Sequence, residues 1–334
     1  MGRLSRDKRD IFYRLAKEKG YRARSAFKLL QIDAEFDLFG TQKTNGSLLV
    51  RRAVDLCAAP GSWSQVLSDR LYEIHQQEQE QISKTAGEEK GDSETSEENE
   101  SSSPNIVAVD LQPMAPIDGV LCMQGDITAK QTAESIIKHF KGRRAELVVC
   151  DGAPDVTGLH DVDEYLQGQL LLSAMLITTH VLCPQGTFCA KIFRGRQISL
   201  LYQQLRLLFD RVSVAKPSSS RNSSMESFVV CQQFKGGRYM DLPLEIGGFA
   251  DIRDYIPKND KEKEAASDHL PPAVVPFLAC GDLSGFGPPG MILDADKSYP
   301  MDAKDYIAPI APPIDPPYET SIARQKEERK KMGS

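Results

Sequence analysis

Apolar and polar positions along this chain switch repeatedly between helical spacing and short apolar runs. From Ala23 to Leu38, apolar residues at Ala26, Phe27, Leu29, Leu30, Ile32 and Phe36 predict a helix. Arg51–Cys57 reads as a strand, and Gly61 opens a turn into a helix over Ser62–Tyr72. Further strands are predicted at Asn105–Leu111, Gly119–Gln124 and Glu146–Cys150, with a helix over Lys130–Phe140 between the last two. Asp163–Leu182 reads as a long helix closed by Cys183-Pro184-Gln185-Gly186. Thr187–Phe193 is a strand and Ser199–Phe209 a helix. Val212–Ala215 and Ser227–Phe234 form a last antiparallel pair around the Ser-rich stretch Pro217–Ser224. Strands alternating with helices imply an α/β domain, with a mostly parallel sheet and helices on both faces.

Two segments lack this pattern. Glu73–Ser103 is rich in Gln, Glu and Ser, buries too little apolar surface to offset chain entropy, and is expected to be a disordered acidic insertion. Beyond Lys235 the chain turns Pro-, Asp- and Gly-rich, with apolar islands such as Val274–Cys280, as in a tail that docks in places. The expected organisation is a basic extension over 1–20, one domain over 21–235 and a tail over 236–334.

Composition narrows the classes. A content of 40% hydrophobic residues in 334 can build a substantial core. No stretch approaches the roughly 20 apolar residues that span a bilayer, so no membrane association is expected. Arg6 stands where a myristoylation signal wants Ser or Thr. The basic start lacks the apolar run of a secretory signal, and Asp7, Asp10 and Glu18 argue against an organellar transit peptide. The seven cysteines show no CxxC pair or zinc-like spacing, as in reduced thiols of a cytoplasmic protein without a metal site.

The net charge of −6 conceals segregation. Residues 73–100 hold ten acids and two bases, whereas the first thirty residues hold ten bases and three acids. A basic body suits a polyanion.

Candidate chemistry lies at strand ends. Asp55-Leu56-Cys57-Ala58-Ala59-Pro60-Gly61-Ser62-Trp63 runs from strand through a small-residue turn into a helix, where open α/β folds bind ligands. An ordinary tight turn reads the same way. The segment lacks the G-x-G-x-x-G series that cradles a pyrophosphate, which argues against a nicotinamide dehydrogenase. Asp110 ends the next strand and can accept from a ribose diol; excising the acidic segment brings it to about the usual interval from such a turn. Asp126 fits either an adenine contact or a turn cap. Lys28 alone reads as a solvated helix residue, Asp151 as a turn cap or functional acid, and Glu226 as a turn residue. Lys191 stands out inside Phe188-Cys189-Ala190-Lys191-Ile192-Phe193, because a central strand seldom holds an unpaired charge.

The matching segments are 21–29, Asp55–Gln65, 109–111, 124–127, 151–158, 190–195 and Lys216–Phe228. In this order they resemble the FtsJ (RrmJ-like) ribose 2′-O-methyltransferases, most closely the eukaryotic tRNA-modifying branch. The resemblance implies a Rossmann-like class I fold with a mostly parallel seven-stranded sheet and a largely irregular C-terminal tail. It implies S-adenosyl-L-methionine as cofactor, held by Gly61, Trp63, Asp110, Asp126 and Asp151. It also implies a Lys-Asp-Lys-Glu tetrad on Lys28, Asp151, Lys191 and Glu226, with Lys191 as base.

An amine needs its pKa lowered for that work; burial and Lys28 act in that direction, Asp151 and Glu226 against it. RNA contact is expected from Arg3, Arg6, Lys8, Arg9, Arg22, Arg24, Arg194, Arg196, Lys216 and Arg221. The branch implies a tRNA anticodon loop, modified at the wobble nucleotide and the one two before it. It also implies a WD-repeat and a helical-repeat helper protein, for which the tail is a candidate dock. The alternatives are a ribosomal-RNA 2′-O-methyltransferase and a non-catalytic RNA-binding protein that keeps the fold.

Overall fold

The computed structural model describes residues 10–42, 47–86, 105–154, 160–195, 198–221, 223–244, 275–281, 295–296, 307–308 and 310. In chain order the elements are α1 (Ile11–Glu18), α2 (Ala26–Phe36), β1 (Arg52–Leu56), α3 (Ser62–Ala86), β2 (Asn105–Asp110) and β3 (Val120–Gln124). Next come α4 (Lys130–His139), β4 (Ala145–Cys150), α5 (His160–Val181), β5 (Leu182–Phe193), α6 (Ile198–Leu208), β6 (Phe209–Pro217), β7 (Glu226–Phe234) and β8 (Phe277–Cys280).

One sheet has the order β3-β2-β1-β4-β5-β7-β6-β8. Strands β3, β2, β1, β4 and β5 run parallel, β7 is antiparallel to β5 and to β6, and β8 is parallel to β6. The strand β4 (AELVVC) is buried along its whole length, as a central parallel strand covered on both faces must be. Alternate side chains divide between two cores. Val148, Phe188 and Ala190 pack with α4, α5 and α6, whereas Val149, Cys189 and Phe228 pack with α2 and α3. This is the three-layer arrangement the sequence pattern implies.

Besides β5 beginning at Leu182, so that residues 183–186 lie in the strand and not in a closing turn, the structure departs from the sequence reading in three places. First, α3 continues to Ala86, fourteen residues beyond the expected stop and into the segment assigned to disorder. Gln, Glu, Lys and Ala are good helix formers, no Gly or Pro interrupts before Gly87, and Arg51 pairs with Glu78 at 2.7 Å. The remainder of that segment lies outside the described residues.

Second, part of the basic extension is ordered. Asp10 caps α1, its Oδ1 accepting from the N–H groups of Phe12 (3.0 Å) and Tyr13 (3.2 Å). Phe12 and Ala16 pack on Phe27 of α2. Third, the sheet has eight strands among the described residues rather than seven, because the tail supplies β8. Its Phe277–Cys280 backbone covers the edge of β6 opposite Val214–Pro217, so that this short strand becomes the edge of the sheet. Tail residue Ala295 joins the Phe12–Phe27 cluster, and the Ile310 N–H donates to Lys17 O at 3.3 Å.

A carboxylate lies inside this frame. Asp55 on β1 is 1% exposed; its Oδ2 accepts from Ser64 Oγ at 2.5 Å, while Oδ1 has no partner among the described residues. Burial, with Asp151 and Asp110 nearby, pushes its pKa up to about 7.

Two stability measurements test these points. Asp10→Ala is expected to lower stability by about 1–2 kcal/mol in urea unfolding, and Asp10→Asn by less, because its amide oxygen still caps α1. Asp55 holds a proton in the folded chain between an unfolded pKa of about 3.9 and its folded value. Stability therefore falls as pH rises through that window. Asp55→Asn is expected to flatten this slope; an unchanged slope would show that Asp55 ionises freely.

Candidate active site

β1 and β4 lie side by side, and the chain proceeds from them toward opposite edges of the sheet. At such a switch point the carboxyl ends of the strands part and leave a crevice. The expected site residues fall along this edge.

On the β1 side, the turn 57–61 is tied to β2. The Ala58 N–H donates to Val109 O at 3.1 Å and the Ala59 N–H to Asp110 Oδ2 at 2.9 Å. Asp110 Oδ1 accepts from the Gln112 N–H at 2.8 Å. Gly61 has φ +104°, and a Cβ there would lie 2.7 Å from Ile117 Cδ1 and 2.9 Å from Arg22 Nη1. The left-handed backbone therefore favours glycine, and any side chain would also have to displace Ile117 and Arg22. Asp126 is exposed and closes a turn before α4, its Oδ1 accepting from Thr128 N–H (2.8 Å) and Oγ1 (2.7 Å).

Trp63 differs from the expectation of a cofactor contact. Its ring is 2% exposed, packs 5.6 Å from Phe228 and donates Nε1–H to Ser25 O at 2.8 Å. Its indole fastens α3 to α2, and its backbone is what remains for a ligand.

On the β4 side, the structure brings Lys28, Asp151, Lys191 and Glu226 together. Lys28 is presented by α2, Asp151 follows β4, Lys191 sits near the end of β5, and Glu226 begins β7. Lys191 Nζ lies 2.8 Å from Asp151 Oδ1 and 3.7 Å from Glu226 Oε2, and donates to Asp151 O at 2.9 Å. Lys28 Nζ lies 2.7 Å from the other Glu226 oxygen, Oε1. Burial opposes charge on Glu226, but Lys28 and Lys191 outweigh it and hold the carboxyl down to about 2. Burial also lowers the Lys191 pKa, yet Asp151 and Glu226 outweigh it, so the amine is held above its ordinary value. The lowering expected from burial and Lys28 does not prevail in this arrangement.

Several supporting contacts went unforeseen, including those of Lys216, which was expected to meet RNA. Ser220 Oγ donates to Glu226 Oε1 at 2.7 Å, and Lys216 Nζ donates to the carbonyls of Ser224 (2.9 Å) and Glu226 (2.6 Å). Gln31 binds Ser218 and Ser219 through both ends of its amide. Its place three residues after Lys28 on one helix face was the available signal. Gln167 on α5 donates Nε2–H to Gly152 O (3.2 Å) and Lys191 O (3.0 Å), joining the ends of β4 and β5.

The expected RNA-binding cations need correction. Arg22 donates to the carbonyls of Pro60 (3.0 Å), Ala115 (2.9 Å) and Pro116 (2.6 Å), bracing the turn. Arg24 pairs with Asp10 and with Ser219 O, and Arg221 lies 3.4 Å from the same Asp10 carboxylate. A sequence cannot reveal that a basic cluster surrounds one buried acid. Arg3, Arg6, Lys8, Arg9 and Arg196 lie outside the described residues.

Comparison with known proteins bears on this edge. Residues 21–234 match the FtsJ-like methyltransferase family. A human relative named tRNA (cytidine(32)/guanosine(34)-2′-O)-methyltransferase is 49% identical, over 98% of this chain and 86% of that protein. A Schizosaccharomyces pombe relative of the same name is also 49% identical, over 96% of this chain and 97% of its own length. An Aspergillus fumigatus protein named AdoMet-dependent rRNA methyltransferase spb1 is 35% identical, over 75% of this chain and 27% of that protein. With the family match covering most of the chain and near full-length relatives beside it, the chain belongs to the FtsJ-like methyltransferase family.

Proposed function

We propose that this protein transfers a methyl group from S-adenosylmethionine to ribose 2′-hydroxyls of a tRNA anticodon loop, at the wobble nucleotide and the one two before it. The observation that carries the chemistry is the Lys191 amine, held between two carboxylates at the carboxyl edge of the sheet. The acceptor is supported by the relatives that match nearly end to end and carry tRNA names. The relative named for rRNA matches over only 27% of its length, which disfavours that reading.

The residues of the β1 side fit such a cofactor. Asp110 and Asp126 place carboxylates at successive strand ends, and the nearby Arg22 guanidinium is engaged by three carbonyls. These acceptors suit the hydroxyl and amino donors and the cationic centre of such a cofactor better than a pyrophosphate. Asp110 would hold the ribose diol, Asp126 the adenine amino group, and the turn at Gly61 with the Trp63 backbone and Asp151 the remainder. When bound, adenosylmethionine supplies a methyl carbon already activated by its sulfonium.

A ribose hydroxyl is a weak nucleophile, so a base must take its proton as it attacks. Lys191 is that base. Asp151 and Glu226 fix the amine in position, and Lys28 keeps Glu226 ionised and in place. The amine must first release its own proton to solvent, and the flanking carboxylates oppose that release. The WD-repeat and helical-repeat helpers and a cytoplasmic location belong to the same proposal. All seven cysteines are free thiols, which agrees with a reducing compartment.

The direct test maps 2′-O-methylation in total RNA with and without the protein, and incubates the purified protein and its helpers with unmodified tRNA transcripts. Cofactor binding without methylation of any RNA would favour a non-catalytic RNA-binding protein. Lys191→Ala is expected to lower kcat by about 10²-fold or more while cofactor affinity changes little. Near-normal turnover would remove Lys191 as base. Asp110→Ala should instead weaken cofactor binding first, read as a raised Kd.

The pH dependence has a defined sign. The single-turnover rate should rise with pH as the amine loses its proton. Because Glu226 raises the Lys191 pKa, Glu226→Gln should shift the inflection to lower pH even as the maximal rate falls. A shift to higher pH would contradict the base assignment.

A further inference from the structure

Arg194 directly follows β5 and donates its backbone N–H to Met225 O at 3.2 Å, which places it beside the residue preceding Glu226. Its guanidinium lies over the Phe277 ring, 5.2 Å from the centroid. Phe277 belongs to β8, beyond the last residue of the family match, and is 51% exposed. Met225 is also exposed, at 37%. Tyr202 and Lys216 lie within electrostatic range of Arg194. Among the described residues Arg194 forms no ion pair with a carboxylate.

Single exposed apolar residues are common on protein surfaces. Here an exposed guanidinium lies over an aromatic ring, and the backbone of the same arginine is bonded to the residue preceding Glu226. Unpaired nucleobases stack on aromatic rings and on guanidinium planes, and a guanidinium binds phosphate as well. A methylated ribose in a loop is presented by a splayed nucleotide, so its neighbours arrive with exposed base faces.

We propose that Phe277 and Arg194 form a stacking platform for an unpaired nucleobase of the tRNA next to the methylated ribose, with Arg194 also contacting the backbone phosphate. The platform rests on the tRNA reading above and assigns the tail a part in substrate binding. The half-exposed ring and a guanidinium that forms no ion pair among the described residues favour RNA over an apolar protein partner.

Phe277 is half exposed on an edge strand, so substitution there leaves the core intact. Phe277→Ala is expected to raise KM for an unmodified tRNA about tenfold, with kcat and cofactor Kd little changed. Phe277→Trp should retain the wild-type KM. Its new indole should also be quenched when tRNA binds, against a background from Trp63, which is buried. Arg194→Ala should weaken tRNA binding and reduce its dependence on salt.

An unchanged KM in Phe277→Ala, or an unquenched indole at saturating tRNA, would overturn the platform. Release of a helper protein by Phe277→Ala with KM unchanged would likewise overturn it and make the ring a protein dock. The indole of Phe277→Trp reads binding without methyl transfer, so its quenching by tRNA while the wild-type protein methylates no RNA would sink the proposed function and leave the platform standing.

Discussion

One carboxylate shared by two ammonium groups joins the parts of this molecule that matter most. Glu226 offers Oε1 to Lys28 and Oε2 to Lys191, and so ties α2 to the adjacent strands β5 and β7. None of these charges would be tolerated alone at this depth, since an unpaired buried ion costs several kcal/mol. Each is admitted because the others are present. The sheet order then becomes a requirement, because only adjacency of β4, β5 and β7 brings Asp151, Lys191 and Glu226 within reach of one another.

The surroundings hold that carboxylate in place from several directions. Ser220 donates to it, Lys216 holds the carbonyls on either side of Met225, and Gln31 fastens Ser218 and Ser219 to the helix that carries Lys28. The tail closes the assembly: the Ser218 N–H donates to Cys280 O at 2.8 Å, so β8 is attached to the same loop. Asp10 adds a second anchor through Arg24, which also reaches Ser219 O. The N-terminal helix and the C-terminal strand thus converge on the loop preceding Glu226. Both lie beyond the residues of the family match.

Much of this was legible in the sequence. Alternating strand and helix patterns located every strand from β1 to β7, because a buried parallel sheet leaves long apolar runs such as Leu147–Cys150. Lys191 was conspicuous because it interrupts such a run. The rest depended on partners distant along the chain. Phe277–Cys280 is too short to declare itself a strand and becomes one only against the edge of β6. The Gln-rich continuation of α3 has low hydrophobicity, which marks disorder, together with high helix propensity, which prevailed through Ala86. Arg22 and Arg24 looked like RNA ligands because a sequence shows charge but not what neutralises it. Trp63 lay in the right motif, yet its ring serves the core.

The interactions that assemble the site also oppose its chemistry. Asp151 and Glu226 hold Lys191 in position, and by the same charges they retain the proton that it would have to lose to act as the proposed base. Replacing them with apolar residues would favour a neutral amine but leave it without direction, and proton transfer needs both correct protonation and alignment. Lys28 eases this conflict indirectly. By occupying Oε1 it draws Glu226 toward α2, and the 3.7 Å separation from Lys191 exceeds the 2.8 Å separation from Asp151. Glu226 therefore restrains the amine more loosely than Asp151 does. A further cationic group in the crevice, such as the sulfonium of the proposed cofactor, would weaken the hold of both carboxylates on the Lys191 proton.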